Sequence, residues 1–203
     1  MSVNLQKGEA ISLIKNKAGL KNIKICLGWD PIHSNSLFGK MKSFLFNGSA
    51  LDLDAVAILI DNKNDYEIVC FYHLLSNDGS VRHSGDNLTG EGKMSDKEQI
   101  FVDLERISDN VDKIIFCVNI YDAVVRGQNF GMVNNSFIRI VDMDTKEEFC
   151  RYNLSGKNYE NYRSMQFGSL VKNNHGEWTF EASGIGCPYS SIKQLKDVVT
   201  SIN

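Results

Sequence analysis

Between Ser84 and Glu98 the chain reads "SGDNLTGEGKMSDKE". These fifteen residues hold three glycines and five carboxylate or amide side chains, Asp86, Asn87, Glu91, Asp96 and Glu98. The only large apolar side chains among them are Leu88 and Met94. Hard cations such as calcium take six to eight oxygens from carboxylates, amides and backbone carbonyls on a flexible chain. Gly85, Gly90 and Gly92 permit the positive-φ turns that aim carbonyls at an ion. An EF-hand is excluded, because counting from Asp86 puts Leu88 and Gly90 where oxygen ligands belong. Either the loop is a different kind of metal site, or it is a solvated segment whose acids keep a sheet edge soluble.

A second acidic feature lies in "LDLDAV", where the strand period sets Asp52 and Asp54 on one face about 7 Å apart. Two such carboxylates repel unless a cation, or a Lys or Arg, stands between them, or unless they open to water. Asp30 in "CLGWDP" is a third candidate, at the end of an early strand. If these strand ends meet the loop, Asp52, Asp54, Asp86, Glu91, Asp96 and Glu98 converge. Two divalent ions would offset four of those six charges.

Other chemistry has little support. There is no Gly-x-Ser-x-Gly elbow, His-Glu-x-x-His helix or phosphate-binding glycine loop. His33, His73, His83 and His175 lack metal-type spacing and read as surface or strand residues. Cys187 in "GIGCPY" precedes a helix start, where a thiolate is favoured, but it has no identifiable base. The five cysteines are dispersed and contain no Cys-x-x-Cys pair, so they read as reduced packing residues.

Nearly every apolar segment that must position these groups has period two. "NIKICLG" puts Ile23, Ile25 and Leu27 on one face, and "LDLDAVAILID" becomes wholly apolar, as a strand covered on both sides would. Similar short runs are "EIVCFYH", "QIFVDL", "KIIFCVNI", "SFIRIVD", "EEFCRYNL", "SMQFGSLV" and "EWTFEAS". Hairpin signals stand at "NDGS" (77–80), "DMDTKE" (142–147) and "NNHGE" (173–177). Two helices are expected. One is short, Tyr121 to Gly131 after "KIIFCVNI", and ends at Gly131. The other is C-terminal, with Ile192, Leu195, Val199 and Ile202 as its stripe and serines as N-caps.

The expected fold is therefore all-β: one domain over 1–203, a two-sheet antiparallel sandwich with those two helices. Net charge is -3 and no basic cluster could neutralise several phosphates, which argues against a nucleic-acid partner. The longest apolar run, Ala55 to Ile60, is too short for membrane insertion, and "MSVNLQKGEA" lacks a signal layout, so the expected location is cytoplasmic.

Taken in order, "VNLQKGEAISL", "LGWD", "LDLDA", "SGDNLTGEG", "VDKIIFCVNIYDA", "RGQNFG", "NNSFIRIVD" and "GEWTFEA" resemble the TerD-like tellurium-resistance and stress-response family across nearly the whole chain. The resemblance implies a non-enzymatic calcium-binding sandwich with paired calcium sites. Their ligands would be drawn from Asp86, Asn87, Glu91, Asp96 and Glu98, with Asp52 and Asp54 as neighbours. It also implies resistance to tellurite and other stresses, with other stress-response proteins as partners, membrane-associated ones included. Where the family continues Asp-Gly-Asp-Asp-Glu, this chain has Lys93-Met94-Ser95-Asp96-Lys97-Glu98, one residue longer and with two lysines. Two unequal sites are therefore expected, the second weakened by the ammonium groups. Two other readings stay open: a small-molecule or partner-protein binding module whose acids only solvate, and a hydrolase-like enzyme that uses a metal at the acidic site.

Overall fold

The computed structural model describes residues 2–15, 18–31, 51–85, 96, 98–154 and 159–201. Fourteen strands are defined among them. They are β1 (Val3–Leu5), β2 (Ala10–Ser12), β3 (Ile14–Lys15), β4 (Ala18–Gly19), β5 (Asn22–Pro31), β6 (Leu53–Asp61) and β7 (Tyr66–Val69), followed by β8 (Val81–His83), β9 (Glu98–Asp103), β10 (Val111–Ile120), β11 (Val133–Asp142), β12 (Glu148–Asn153), β13 (Ser164–Lys172) and β14 (Trp178–Cys187). A helix, α1, spans Ile192–Ser201. One sheet has the order β1-β12-β11-β5-β9-β8, the other β2-β14-β13-β10-β6-β7, and β3-β4 form a small hairpin. Neighbours are antiparallel except β1 and β12. The expected all-β sandwich is the observed fold.

Alternation decides which side chains fill it. Ile23, Ile25 and Leu27 of β5 face Ala55, Ala57 and Leu59 of β6 and Ile114, Phe116 and Val118 of β10 in one inter-sheet core. The odd and even residues of a strand point to opposite faces, so Val56, Ile58, Ile115 and Cys117 leave the second sheet on its far side. There Ile192 and Leu195 of α1 cover them in a smaller apolar cluster, with Val198 packed against it. This double cover explains why β6 reads as wholly apolar. The helix stripe is thus Ile192, Leu195 and Val198; the Val199 side chain and Ile202 lie outside the described residues. All five cysteines are free and buried, as packing residues should be.

Each of the three hairpin signals closes a turn. Ser76 N–H donates to the Val81 carbonyl, Asp142 N–H to that of Glu147, and Asn173 N–H to that of Glu177, all at 2.9 Å. The expected helix over Tyr121–Gly131 does not form. Asp122 (φ 51°) and Gly127 (φ 62°) adopt the left-handed region, which interrupts a right-handed helix, and consecutive tight turns result. Val124 and Val125 are exposed, so no apolar stripe exists to hold a helix against the core. Only a one-turn 3-10 helix, Phe130–Met132, follows, and Gly131 lies inside it rather than ending it. No helix among the described residues is long and apolar enough to cross a membrane.

Candidate metal centre

The acidic loop connects two paired strands. β8 and β9 register Arg82 with Phe101 and His83 with Ile100, and Ser84 N–H donates to the Gln99 carbonyl at 2.9 Å. Gly85 has φ +99°, the conformation its glycine was expected to supply. Asp86, Asn87, Glu91, Lys93 and Lys97 lie outside the described residues, while Asp96 and Glu98 stand at the loop's second foot.

Those two acids take opposite directions. Glu98 is the first residue of β9 and shares its inward face with Ile100 and Val102, so its carboxylate is buried between the sheets. Its Oε2 lies 3.0 Å from His83 Nε2, off the line of an ideal hydrogen bond, and accepts a long 3.5 Å contact from Ala55 N–H. His83 Nδ1 accepts from Gly85 N–H at 3.0 Å. That bond leaves the ring proton on Nε2, the nitrogen nearer Glu98. Asp96 precedes the strand, outside its pleat, and meets Arg139 of β11 on the far face of the first sheet.

His83 joins the two feet of the loop, a role its scattered position in the sequence concealed. The alternation Val81-Arg82-His83 was the available signal, because Val81 points into the core. His83→Ala is expected to lose about 1–3 kcal/mol in urea unfolding, since it strips Gly85 N–H of its acceptor and enlarges a buried space beside Glu98. A loss below about 0.5 kcal/mol, the range of an ordinary surface substitution, would contradict that role.

Asp52 and Asp54 share a face with Val56 and Ile58, on the outer side of the second sheet. Both are buried. The repulsion expected between them is relieved by a guanidinium: Arg126 Nη1 is 3.8 Å from Asp52 Oδ2. The turn that carries Arg126 is tied to the same residue, as Tyr121 N–H donates to the Asp52 carbonyl at 2.9 Å. Across the ladder, Asn119 is paired with Asp54. Its Nδ2 donates at 3.5 Å to Asp54 Oδ2 and at 3.4 Å to the Ser190 carbonyl, which leaves its buried Oδ1 without a donor. Gln166 Oε1, on the neighbouring strand opposite Cys117, is likewise buried and undonated. Two buried amide oxygens thus lie near these carboxylates without a donor, an arrangement that a bound cation or ordered water would satisfy.

β6 approaches the foot of the loop, where Ala55 N–H reaches Glu98 Oε2; the loop between Asp86 and Ser95 lies outside the described residues. The described acidic side chains do not gather: Glu98 faces between the sheets, Asp96 outward from the first, Asp52 and Asp54 outward from the second. No group of three His, Cys, Asp or Glu that could hold a metal occurs among the described residues. The pleat sends neighbouring strand residues to opposite faces, so acids close in sequence diverge unless a loop folds back over them. Cys187 is buried in the cluster under α1, beside Cys117 rather than a base.

Comparison with known proteins agrees with this architecture. The model of the TerD domain matches residues 1–198. The chain is 39% identical over 204 residues to stress response protein SCP2 of Bacillus subtilis, covering 98% of each chain. It is 40% identical over 190 residues to tellurium resistance protein TerD of Serratia marcescens, covering 92% of this chain and 91% of that one. A crystal structure of a TerD homologue from Streptomyces coelicolor superposes with a TM-score of 0.65 at 20% identity, covering 86% of this chain and 95% of that one, which bears on the fold. With the family model spanning all but the last residues, this chain belongs to the TerD family.

Proposed function

We propose that this chain is a non-enzymatic, calcium-binding cytoplasmic protein that acts in resistance to tellurite and other stresses together with other stress-response proteins. The observation that carries the calcium reading is the undonated, buried amide oxygen of Asn119 at the end of β10. Asn119 Oδ1 has no donor there and stands beside the carboxylate of Asp54. An all-oxygen donor set of carboxylates and amides fits a hard divalent cation. Asp52, Asp54 and Asn119 would hold one ion on the outer side of the second sheet, and Asp86, Asn87 and Glu91 of the loop, with Glu98 at its foot, would hold the other. Asp96 contributes last, because recruiting it breaks two hydrogen bonds to Arg139. Lys93 and Lys97 weaken the second of two sites.

Calorimetric titration with calcium tests this, followed by melts with and without a chelator and a panel of chromogenic substrates. A ligand that binds only the folded state stabilises it by about 2.7 kcal/mol at a hundredfold excess over its dissociation constant. Calcium is therefore expected to raise the melting temperature, and Asp54→Asn to remove most of that rise. An unchanged melt across millimolar calcium removes the metal reading; turnover of a substrate that depends on Asp54 removes the non-enzymatic one. One observation favours a binding module without metal. Arg126 already places a cation 3.8 Å from Asp52. In that case neither calcium nor Asp54→Asn shifts the melt appreciably.

A further inference from the structure

Two hydrogen-bonded turns place exposed apolar side chains near one another at one edge of the sandwich. The first turn is Phe71–Tyr72, closed by reciprocal hydrogen bonds between Cys70 and His73, each N–H donating to the other's carbonyl at 3.0 Å. The chain then runs along β8, with Leu75 bridged to Arg82. The second is the turn after β10, closed by Arg126 N–H to the Asp122 carbonyl at 2.9 Å and Gln128 N–H to that of Ala123 at 2.8 Å. Ala123 is fully buried and anchors it, so the residues between these bonds are pushed outward. An edge-to-face contact of Phe71 with Tyr121, 6.3 Å between centroids at 86°, joins the two turns.

The surface they form is costly to leave in water. Val125 is 85% exposed, Val124 65%, Tyr72 63%, Leu75 49%, Leu74 45% and Tyr121 41%. A disordered tip could bury its valines by collapsing, but this one is shaped by a left-handed Asp122, a backbone that a non-glycine residue adopts at a cost. These six side chains present on the order of 600 Å², at the upper end for a monomer's largest apolar patch and somewhat below the roughly 800 Å² per partner of a standard interface.

We propose that this edge is a docking surface for a second copy of the same chain. The apolar side chains carry no charge, and the molecule as a whole carries -3. The described cation beside the tip is Arg126, already held 3.8 Å from Asp52, and two valines with one such arginine do not hold a protein at a membrane, where stable anchoring takes two signals. A second copy supplies apolar partners for both segments, the Val124–Val125 turn and the exposed side chains of Tyr72, Leu74 and Leu75. In a two-fold arrangement each tip lies on the other copy's 72–75 segment, so the contact is made twice. The charges at the margins are compatible. Arg126 beside the tip keeps 27% of its side chain exposed, and Glu67 beside that segment keeps 21%. Reciprocal docking sets one against the other. This surface does not depend on the calcium reading, since none of its apolar residues is a proposed ligand.

Sedimentation velocity over about 1–200 μM, with and without chelator, tests the proposal. The wild-type chain is expected to shift from monomer to dimer across that range with or without calcium. Val125→Asp is expected to weaken dimerisation at least tenfold, because each dimer then buries two carboxylates. Its melting temperature measured at low concentration should stay unchanged, since Val125 packs on nothing in the monomer. Vesicle flotation with anionic and zwitterionic lipid completes the test. A monomer throughout the range, a dimer indifferent to Val125→Asp, or a monomer that floats with vesicles would each overturn the proposal.

Discussion

Arg139→Ala is expected to cost roughly 3 kcal/mol, the lower end of what removing one partner of a buried ion pair costs, because the arginine keeps some exposure. Its Nε and Nη2 donate to Asp96 Oδ1 and Oδ2 at 2.8 and 2.5 Å, a two-pronged grip on one carboxylate, while Nη1 reaches Glu148 Oε2 at 3.1 Å. Burial pushes the Asp96 carboxyl up, but the hydrogen bonds and charge of Arg139, helped by the Cys26 thiol and Lys24, outweigh it and hold the group below its ordinary value. The sign of the pH effect follows. Asp96 contributes its full stabilisation above the unfolded aspartate value of about 3.9, and loses it as pH falls through the lower folded value. In Arg139→Ala burial acts with little opposition, the folded value rises, and the charged form destabilises at neutral pH. The gap between the two proteins in urea unfolding should therefore be widest near pH 7 and narrow toward pH 3. A gap that stays constant with pH would mean that the loss comes from the arginine's packing alone. Arg139→Met, which keeps the stem, separates the two contributions.

Leu195→Ala is the second large effect. Leu195 is fully buried at the centre of the interface between α1 and the second sheet, so truncation should cost about 2–5 kcal/mol by lost transfer energy and the space left behind. Part of that loss is local. Beneath the helix lie Cys117 and Cys187, whereas Cys150 sits in the inter-sheet core. Burial drives the Cys117 thiol far above its ordinary value, so it reacts only when the helix lifts. Lowering the free energy of that opening by about 2 kcal/mol should speed modification of Cys117 and Cys187 roughly thirtyfold at equal pH. Cys150 should change much less. Peptide-resolved thiol labelling reads the three separately. Equal acceleration at all three would show that α1 does not open independently of the sandwich.

Much of this molecule is written locally. The period-two runs became the strands β5 to β7 and β9 to β14, and the Asn-Asp-Gly, Asp-Thr-Lys and Asn-His-Gly segments their turns, because alternation and turn chemistry depend on neighbours only. The two-sided cover of β6 was legible for the same reason, whereas the choice between a counter-charge and open water at Asp52 and Asp54 was not, and Arg126 decides it at Asp52. The helix expected over Tyr121–Gly131 failed because composition does not reveal that Asp122 turns left-handed and that its valines have no core to face. Other features required the strands to be placed. Asp96 meets a guanidinium 43 residues away only because β9 and β11 flank β5. Glu98 approaches β6 because the two sheets stack, and Asn119 lies beside Asp54 because β10 pairs with β6. Sequence alone determined which residues are acidic, which face of its own strand each occupies, and where the chain must turn. Tertiary structure decided which acid meets an arginine, a histidine or an undonated amide oxygen, since sheet order brings together groups whose separation along the chain carries no local signal.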